Sequence, residues 1–568
     1  MGRLAISSAV VLTGAALLVS GSGVMAASHA TAPTTLSMFT SPPAQLGNLN
    51  ANAFTKLIEK KFNIRFNWTI APTADELTKQ SVILSSGDYP SIFWDGNFTS
   101  SQVLQYGQEG VFVPLNNLIK KYAPAVWTKI EHTAELKQSA FAPNGKIYAL
   151  PNYNACMHCN FAARMWVNVN LLHKYHLTMP TTTAQFERDL EVFKNHHVIP
   201  LSGATNGWHT EPITWLMNAF TYDGAQNTVG TGGDEYVNVN ANGRGLYFAP
   251  IQNGWKQGLQ YMHTLYAKGL ISSATFTQTN TQLDAEATRN QIGFVPGGVP
   301  PQFANAQQAK WHLVPPLKGP SGHKSVGFYG NGLGQYVFAI TNKSTLQEDK
   351  KVLELINYIW TYPGLMTWNF GPEAKTSNPA DAKGYYWGPA AKGVLDMNGQ
   401  QATYWVNSNL PTSNFNAGWY QMGPMYQTNS MRYDQASPPP FAPNGVGNQA
   451  LLQFVTEKYL IGHQPKYVVP TDIWVKPANA QNYSTLTTNI DNYINQWNEE
   501  FISGSESLSA ATWKSYVSGV KSLGLRQYLT LTRSGMVAPF NTSHFKENVA
   551  QVQRLQNEKQ TGNFSKYQ

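Results

Sequence analysis

The sequence predicts an α/β fold of more than one domain, on three observations. Apolar residues alternate with polar ones early in the chain, keep helical spacing at several later points, and show no repeat of fixed period anywhere. Strands and helices interspersed over 568 residues point to sheets layered with helices. Hydrophobic residues make up 42% and aromatic ones 12%, enough to bury large cores.

Taken in order, the first segment reads as an export signal over residues 1–30. Arg3 supplies the positive end, Leu4 to Val19 is largely apolar, and small residues follow. Val24-Met25-Ala26 and Ser28-His29-Ala30 both suit a signal peptidase, so the mature chain is expected to start near Ala27 or Thr31. An uncleaved signal acting as an anchor is the alternative. Phe54, Leu57, Ile58 and Phe62 then predict a helix, and Ile64, Phe66, Trp68 and Ile70 a half-buried strand. Leu115, Leu118, Ile119 and Tyr122 predict a helix stopped by Pro124. Val352, Leu355, Ile356 and Ile359 make another. Ile490, Tyr493, Ile494, Trp497 and Phe501 hold the spacing for three turns, with Gly504 as C-cap, and Trp513, Tyr516, Val517 and Val520 continue it. Residues 221–250 and 371–445, rich in Gly, Asn, Pro and aromatics, read as long loops.

Charge excludes one class of function. The net charge is +8, but the densest basic groupings are pairs such as Lys60–Lys61, Lys120–Lys121 and Lys350–Lys351. A nucleic-acid footprint needs basic residues gathered on one face. Charged residues are only 13% of the chain, with 32 carboxylates against 40 basic groups. A surface so poor in carboxylates changes little as acid protonates it, so adaptation to acidic surroundings is expected.

The cysteines are Cys156 and Cys159, in Cys-Met-His-Cys. In an exported chain the expected state is a local disulfide. A free pair, a redox pair, or a metal site with His158 are the other readings, although the second half of a zinc motif is missing.

Several phrases in order resemble the family 1 extracellular solute-binding proteins of bacterial ABC sugar importers, in their large lipoprotein-like branch. Leu84-Ser-Ser-Gly-Asp-Tyr-Pro-Ser-Ile-Phe-Trp94 is similar to that family's "ASGDLPDIF" phrase. Gly110-Val-Phe-Val-Pro-Leu115, Asn144-Gly-Lys-Ile-Tyr-Ala-Leu-Pro151, Trp166-Val-Asn168 and Met179-Pro-Thr-Thr182 continue the match. So do Tyr266-Ala-Lys-Gly-Leu-Ile271, Pro315-Pro-Leu-Lys-Gly-Pro320, Val337-Phe-Ala-Ile-Thr341 and the stretch from Asp491 to Leu525. The family's lipid-bearing Cys is replaced by Ser22, and its Gly-Pro-Glu-Gly reads Gly371-Pro-Glu-Ala374.

The resemblance implies a type II periplasmic-binding-protein-like clamshell: two discontinuous α/β lobes joined by hinge strands. The expected boundaries are 31–150 with about 336–410 for the first lobe, and 151–335 with about 411–485 for the second. Residues 486–568 would form C-terminal helices packing on the lobes. The implied function is capture of a carbohydrate, expected to be an oligosaccharide, between the lobes and its delivery to the permease subunits of an ABC transporter. A monomer on the outer face of the cytoplasmic membrane or secreted, with no nucleic acid and no cofactor, is expected. A structural cation such as calcium stays open.

A sugar presents apolar ring faces and a rim of hydroxyls, so a site needs aromatic planes and polar side chains. Candidates following predicted strands are Trp94, Asp95, Asn152, Tyr153 and Trp208, and candidates in or near the aromatic loops are Trp368, Trp387, Trp419 and Tyr420. The alternative is a secreted glycoside hydrolase using two of Asp95, Glu211 and Glu373, but no motif couples any two of them. Zinc-helix, nucleophile-elbow and phosphate-loop motifs are missing from the sequence, and Gly330-Asn-Gly-Leu-Gly334 opens into a predicted strand.

Overall fold

Asn52 and Asn63 bracket the first predicted helix, one by accepting the Phe54 amide at 3.0 Å and the other by turning left-handed at φ 52°. In this computed structural model the described residues are 32–224, 236–301, 310–328, 332–397, 400–407, 410–411, 413–436 and 446–544. The export signal, its cleavage points and Ser22 lie outside them, as do Gly330 and Asn331 of the Gly330–Gly334 stretch, which does run into a strand at Leu333.

Two sheets carry the architecture. Their strands are β1 (Thr34–Thr40), β2 (Ile64–Ile70), β3 (Ile92–Phe98), β4 (Ala149–Asn154), β5 (Met165–Asn168) and β6 (Ile199–Leu201), followed by β7 (Ile292–Pro296), β8 (Trp311–Leu313), β9 (Leu333–Ile340) and β10 (Tyr426–Gln427). The first sheet runs β10-β4-β9-β3-β1-β2 and the second β8-β5-β7-β6. β1 pairs in parallel with both β2 and β3, so the chain reverses its winding at the β1/β3 junction. β9 enters antiparallel between β3 and β4. In the second sheet β6 and β7 are parallel, and β5 is antiparallel to β7.

Helices cover these sheets. They are α1 (Ala53–Phe62), α2 (Glu76–Ser86), α3 (Asn253–Ala267), α4 (Leu346–Ile359), α5 (Pro477–Ser503), α6 (Ala510–Ser522) and α7 (Leu525–Gly535). A Thr345/Glu348 capping box starts α4, which buries Val352, Leu355, Ile356 and Ile359 against Met38, Ile92 and Phe338 of the first sheet. Leu486, Ile490, Ile494 and Phe501 of α5 bury on the second core with Trp255 of α3, each contributing about 1.5–3 kcal/mol. Gly504 ends α5 at φ 83°, as its position in the pattern predicts. Pro124 does stop one helix, and it opens the next as first residue of Pro124–His132.

Among the described residues the chain goes from one sheet to the other three times: from β4 to β5, from β8 to β9, and between β10 and the helix Val446–Val455. The sequence-based boundaries need two corrections. β4 runs to Asn154, so the first passage starts after 154, because Leu150 and Tyr153 still fill the first core. Residues 415–427 belong to the first lobe: Trp419, Met422 and Met425 fill its core, and β10 pairs with β4. Gly- and Asn-rich irregular chain gave no periodicity from which to place that boundary. Residues 473–475 touch both cores, with Trp474 5.5 Å from Tyr336 in the first while Ile473 and Val475 lie in the second.

Candidate functional site

β3 and β4 of the first sheet end where β9 begins, as the pairs Phe98 with Tyr336 and Tyr153 with Leu333 show. In the second sheet β6 and β7 end where β5 begins, as Met165 opposite Pro296 shows. The first passage joins these two edges directly through residues 155–164, so the edges face each other across a short hinge. Ligands of open α/β sheets bind beyond such carboxyl ends.

At the first edge, Ser41 and Asp95 stand two residues beyond the last β1–β3 register pair, Phe39 with Phe93. Asp95 takes φ 75°, a conformation unusual for a residue with a side chain, and Asn97 follows at φ 44°. Burial, then the neighbouring Glu76 carboxylate, pushes Asp95 up to about 7 against a backbone hydrogen bond from Gly423. Asn97 donates to Glu76 at 2.6 Å. Thr40 Oγ1 and Gln80 Oε1 are buried there without a hydrogen-bond partner, and the Ser41 hydroxyl lies against the Glu76 carboxylate. Asn152 is half-buried on β4 with its Oδ1 equally unpartnered, and Tyr153 stacks on Tyr426 with centroids 5.5 Å apart.

At the second edge, Trp208 is half-buried, and the Gly298 backbone lies so near that a Cβ there would meet the indole at 2.3 Å. The Gly298 amide donates to the Trp208 carbonyl at 2.8 Å. His209 is buried and held neutral, pushed down to about 3 by burial and then by Arg164. Glu211 Oε1 stands 4.0 Å from His209 Nδ1, outside hydrogen-bond range. Burial first, and the Asp223 charge as well, push Glu211 up to about 7.

Four of the predicted stacking residues are instead core. Trp94, Trp368 and Trp419 are fully buried and Trp387 nearly so. Their indole N–H groups donate inward: Trp94 to the Met422 carbonyl at 2.9 Å, Trp368 to the same carbonyl at 3.2 Å, Trp419 to Thr55 at 2.8 Å and Trp387 to the Gly371 carbonyl at 2.6 Å. A large apolar side chain whose one donor is satisfied gains most by complete burial. Tyr420 is half-buried beside Phe415 at 6.3 Å. Asp95, Asn152 and Trp208 thus stand at the facing edges, whereas Tyr153, at the same strand end, is buried in the first core against Tyr426. Ser41, Glu76 and Asn97, missed in the sequence, join them; the sharp Asp95-Gly96-Asn97 run was the available signal.

The hinge is tied down. Cys156 and Cys159 form a disulfide within the first passage. Their bond leaves the Cys156–His158–Cys159 cluster without the thiolates that a metal site needs. Arg164, fully buried, donates to the His158 and Gly298 carbonyls and to Thr456 Oγ1 at 3.1 Å. Arg432 donates to Asn154 Oδ1 at 2.5 Å and Gln427 Oε1 at 3.2 Å. A cavity of about 970 Å³ lies elsewhere, between Leu246 and the C-terminal helix residues Lys521, Leu525, Arg526, Leu529 and Arg533.

No family model matches the chain. It is 26% identical over 335 residues to the "Fructooligosaccharide ABC transporter substrate-binding protein FusA" of Streptococcus pneumoniae serotype 4. The match takes in 56% of this chain and 57% of that relative, so the chain spans little more than half of its length. The structure of the S. pneumoniae protein with kestose superposes with a TM-score of 0.70 at 20% identity, over 88% of this chain and 98% of that one. An "HMO binding ABC-transporter associated Solute Binding Protein" from Bifidobacterium longum infantis gives 0.69 at 15% identity over the same shares. The fold is therefore the two-lobed clamshell of such solute-binding proteins.

Proposed function

We propose that this chain is the extracellular substrate-binding component of an ABC importer, which captures an oligosaccharide between its lobes and presents it to the membrane permease. The observation that carries this reading is the pair of facing strand-end edges, each with polar groups short of partners, joined by three passages. A half-exposed indole at Trp208 and buried hydroxyl and amide oxygens at the opposite edge suit a ring face and its hydroxyl rim. The sugar-binding relative and the clamshell neighbours support it. Among the described residues no helix is long and apolar enough to cross a membrane, which agrees with a protein acting outside it.

The same geometry favours binding over hydrolysis. Asp95 and Glu211 belong to different lobes, so their separation changes with hinge angle, whereas a glycosidase holds its carboxyl pair at a fixed spacing. Calorimetric titration against a panel of oligosaccharides should find a ligand, which chromatography after a day with the protein should recover intact. Small-angle scattering should then report a smaller radius of gyration with that sugar. Shortened products that vanish on Glu211→Gln would establish hydrolysis instead.

A further inference from the structure

We infer that the cleft selects an uncharged oligosaccharide and turns away uronic-acid counterparts of the same length, an inference that rests on the carbohydrate reading above. Five segments lie at, or pack against, the facing strand ends: 40–48, 95–99, 202–212, 297–301 and 413–428. None contains a lysine or arginine, and their charged residues are Asp95 and Glu211. The rest is Gly, Pro, Asn, Gln, Ser, Thr and aromatic or aliphatic residues, with His209 as the one further titratable ring apart from tyrosines.

Proteins capture carboxylates with arginine forks, lysine ammonium groups or clustered backbone amides. Here the two arginines of the hinge are already engaged. Arg164 is fully buried with its guanidinium on two carbonyls and a threonine hydroxyl, and Arg432 is held by Asn154 and Gln427. His209 is neutral over the ordinary pH range. Closing the lobes on a uronate would bury its carboxylate opposite Glu76 and Asp95 on one side and Glu211 and Asp223 on the other, with Arg164 and Arg432 committed to other partners and Lys129 lying over the Tyr426 ring. Hydroxyls meet no such penalty, because Thr40, Gln80 and Asn152 hold unpartnered oxygens at the first edge. The acidic groups also give the discrimination a pH dependence. In acid Asp95 and Glu211 are protonated and can donate to sugar oxygens; above about 7 they ionise and repel an anionic ligand further.

The test is native mass spectrometry of the mature chain with an equimolar mixture of neutral tetraoses (fructo-, xylo-, manno- and malto-) and tetra-uronates (galacturonate and mannuronate). At about pH 5 a neutral sugar should exceed every uronate in occupancy by roughly tenfold or more, and the ratio should widen at about pH 8. Glu211→Gln should return the ratio at the higher pH toward its value at the lower. A uronate bound as well as the best neutral sugar overturns the inference and leaves the carbohydrate reading standing. A ratio that ignores both pH and Glu211→Gln removes the carboxylates as its cause and overturns the inference likewise. Capture of none of these sugars at millimolar concentration overturns both.

Discussion

Gly423 turns at φ 107° against the Trp94 indole, and a Cβ there would meet Nε1 at 2.0 Å. The same short loop feeds its amide to Asp95 and the Met422 carbonyl to Trp94 and Trp368. Trp94 is thus the rigid back of the first edge, and Asp95 beside it is aimed by that packing. Trp94→Ala should cost about 3–5 kcal/mol of stability in urea titration, the range for emptying a buried tryptophan site. Trp208→Ala should leave the urea midpoint nearly unchanged while weakening the sugar on the order of tenfold to a hundredfold by calorimetry. A stable Trp94→Ala protein with only an affinity defect would contradict the core assignment. Sequence could not separate these two tryptophans. Ile92, Phe93 and Trp94 are buried on both faces of β3, so the alternation that would reveal direction is missing.

At the scale of elements, amphipathic helices were the readable part. α1, α4, α5 and α6 present one apolar face each, and periodicity alone places them. The strand at β2 was also readable, although Ile70 at its end is 45% exposed. The passages between lobes were not, because their residues answer to two cores and to hinge hydrogen bonds rather than to one repeating face. The disulfide is an exception: it is expected from the compartment, and Cys156 and Cys159 are joined within the first passage. It closes a loop of sequence separation 3, so it restrains the unfolded chain little, by about 2 kcal/mol on the loop-entropy relation. Its larger effect is local, since Ala155 and Met157 are already pinned to Gln427 and Asn429 at 2.8 and 2.9 Å. Reduction should therefore lower the urea midpoint only modestly and leave far-ultraviolet circular dichroism unchanged. Global unfolding on reduction would show that those pins depend on the sulfur bridge.

At the scale of the whole molecule, the pH response follows from two opposed sets of groups. Asp95 and Glu211, raised to about 7, and Asp284 and Asp472, raised to about 6, keep protons in the folded state that the unfolded chain gives up. Their stabilisation is full below the unfolded carboxyl range and is lost as pH rises through those values. His209, lowered to about 3, and His158, lowered well below its usual value, act oppositely: their contribution is full above about 6.5 and declines in acid. Between about pH 4 and 6.5 the four carboxyls outweigh the two imidazoles, so stability declines as pH rises, and above that range the remaining loss is that of Asp95 and Glu211. The melting temperature should decline from about pH 4 to 8, more steeply below about 6.5 than above it, with a folded baseline persisting to roughly pH 3. A melting curve that peaks at pH 8, or ordinary acid unfolding at about pH 4–5, would count against this assignment.

The placing of β9 between β3 and β4 has a consequence for how the protein is made. Ribosomes deliver the chain from its N-terminus, and β3 and β4 have no strand to share until residue 340 has emerged. The last strand of that sheet waits for residue 427. For well over half of synthesis the first lobe is a sheet with its middle missing, unable to close its core. A nascent chain in that condition stays threadable, as the export proposed for this chain requires.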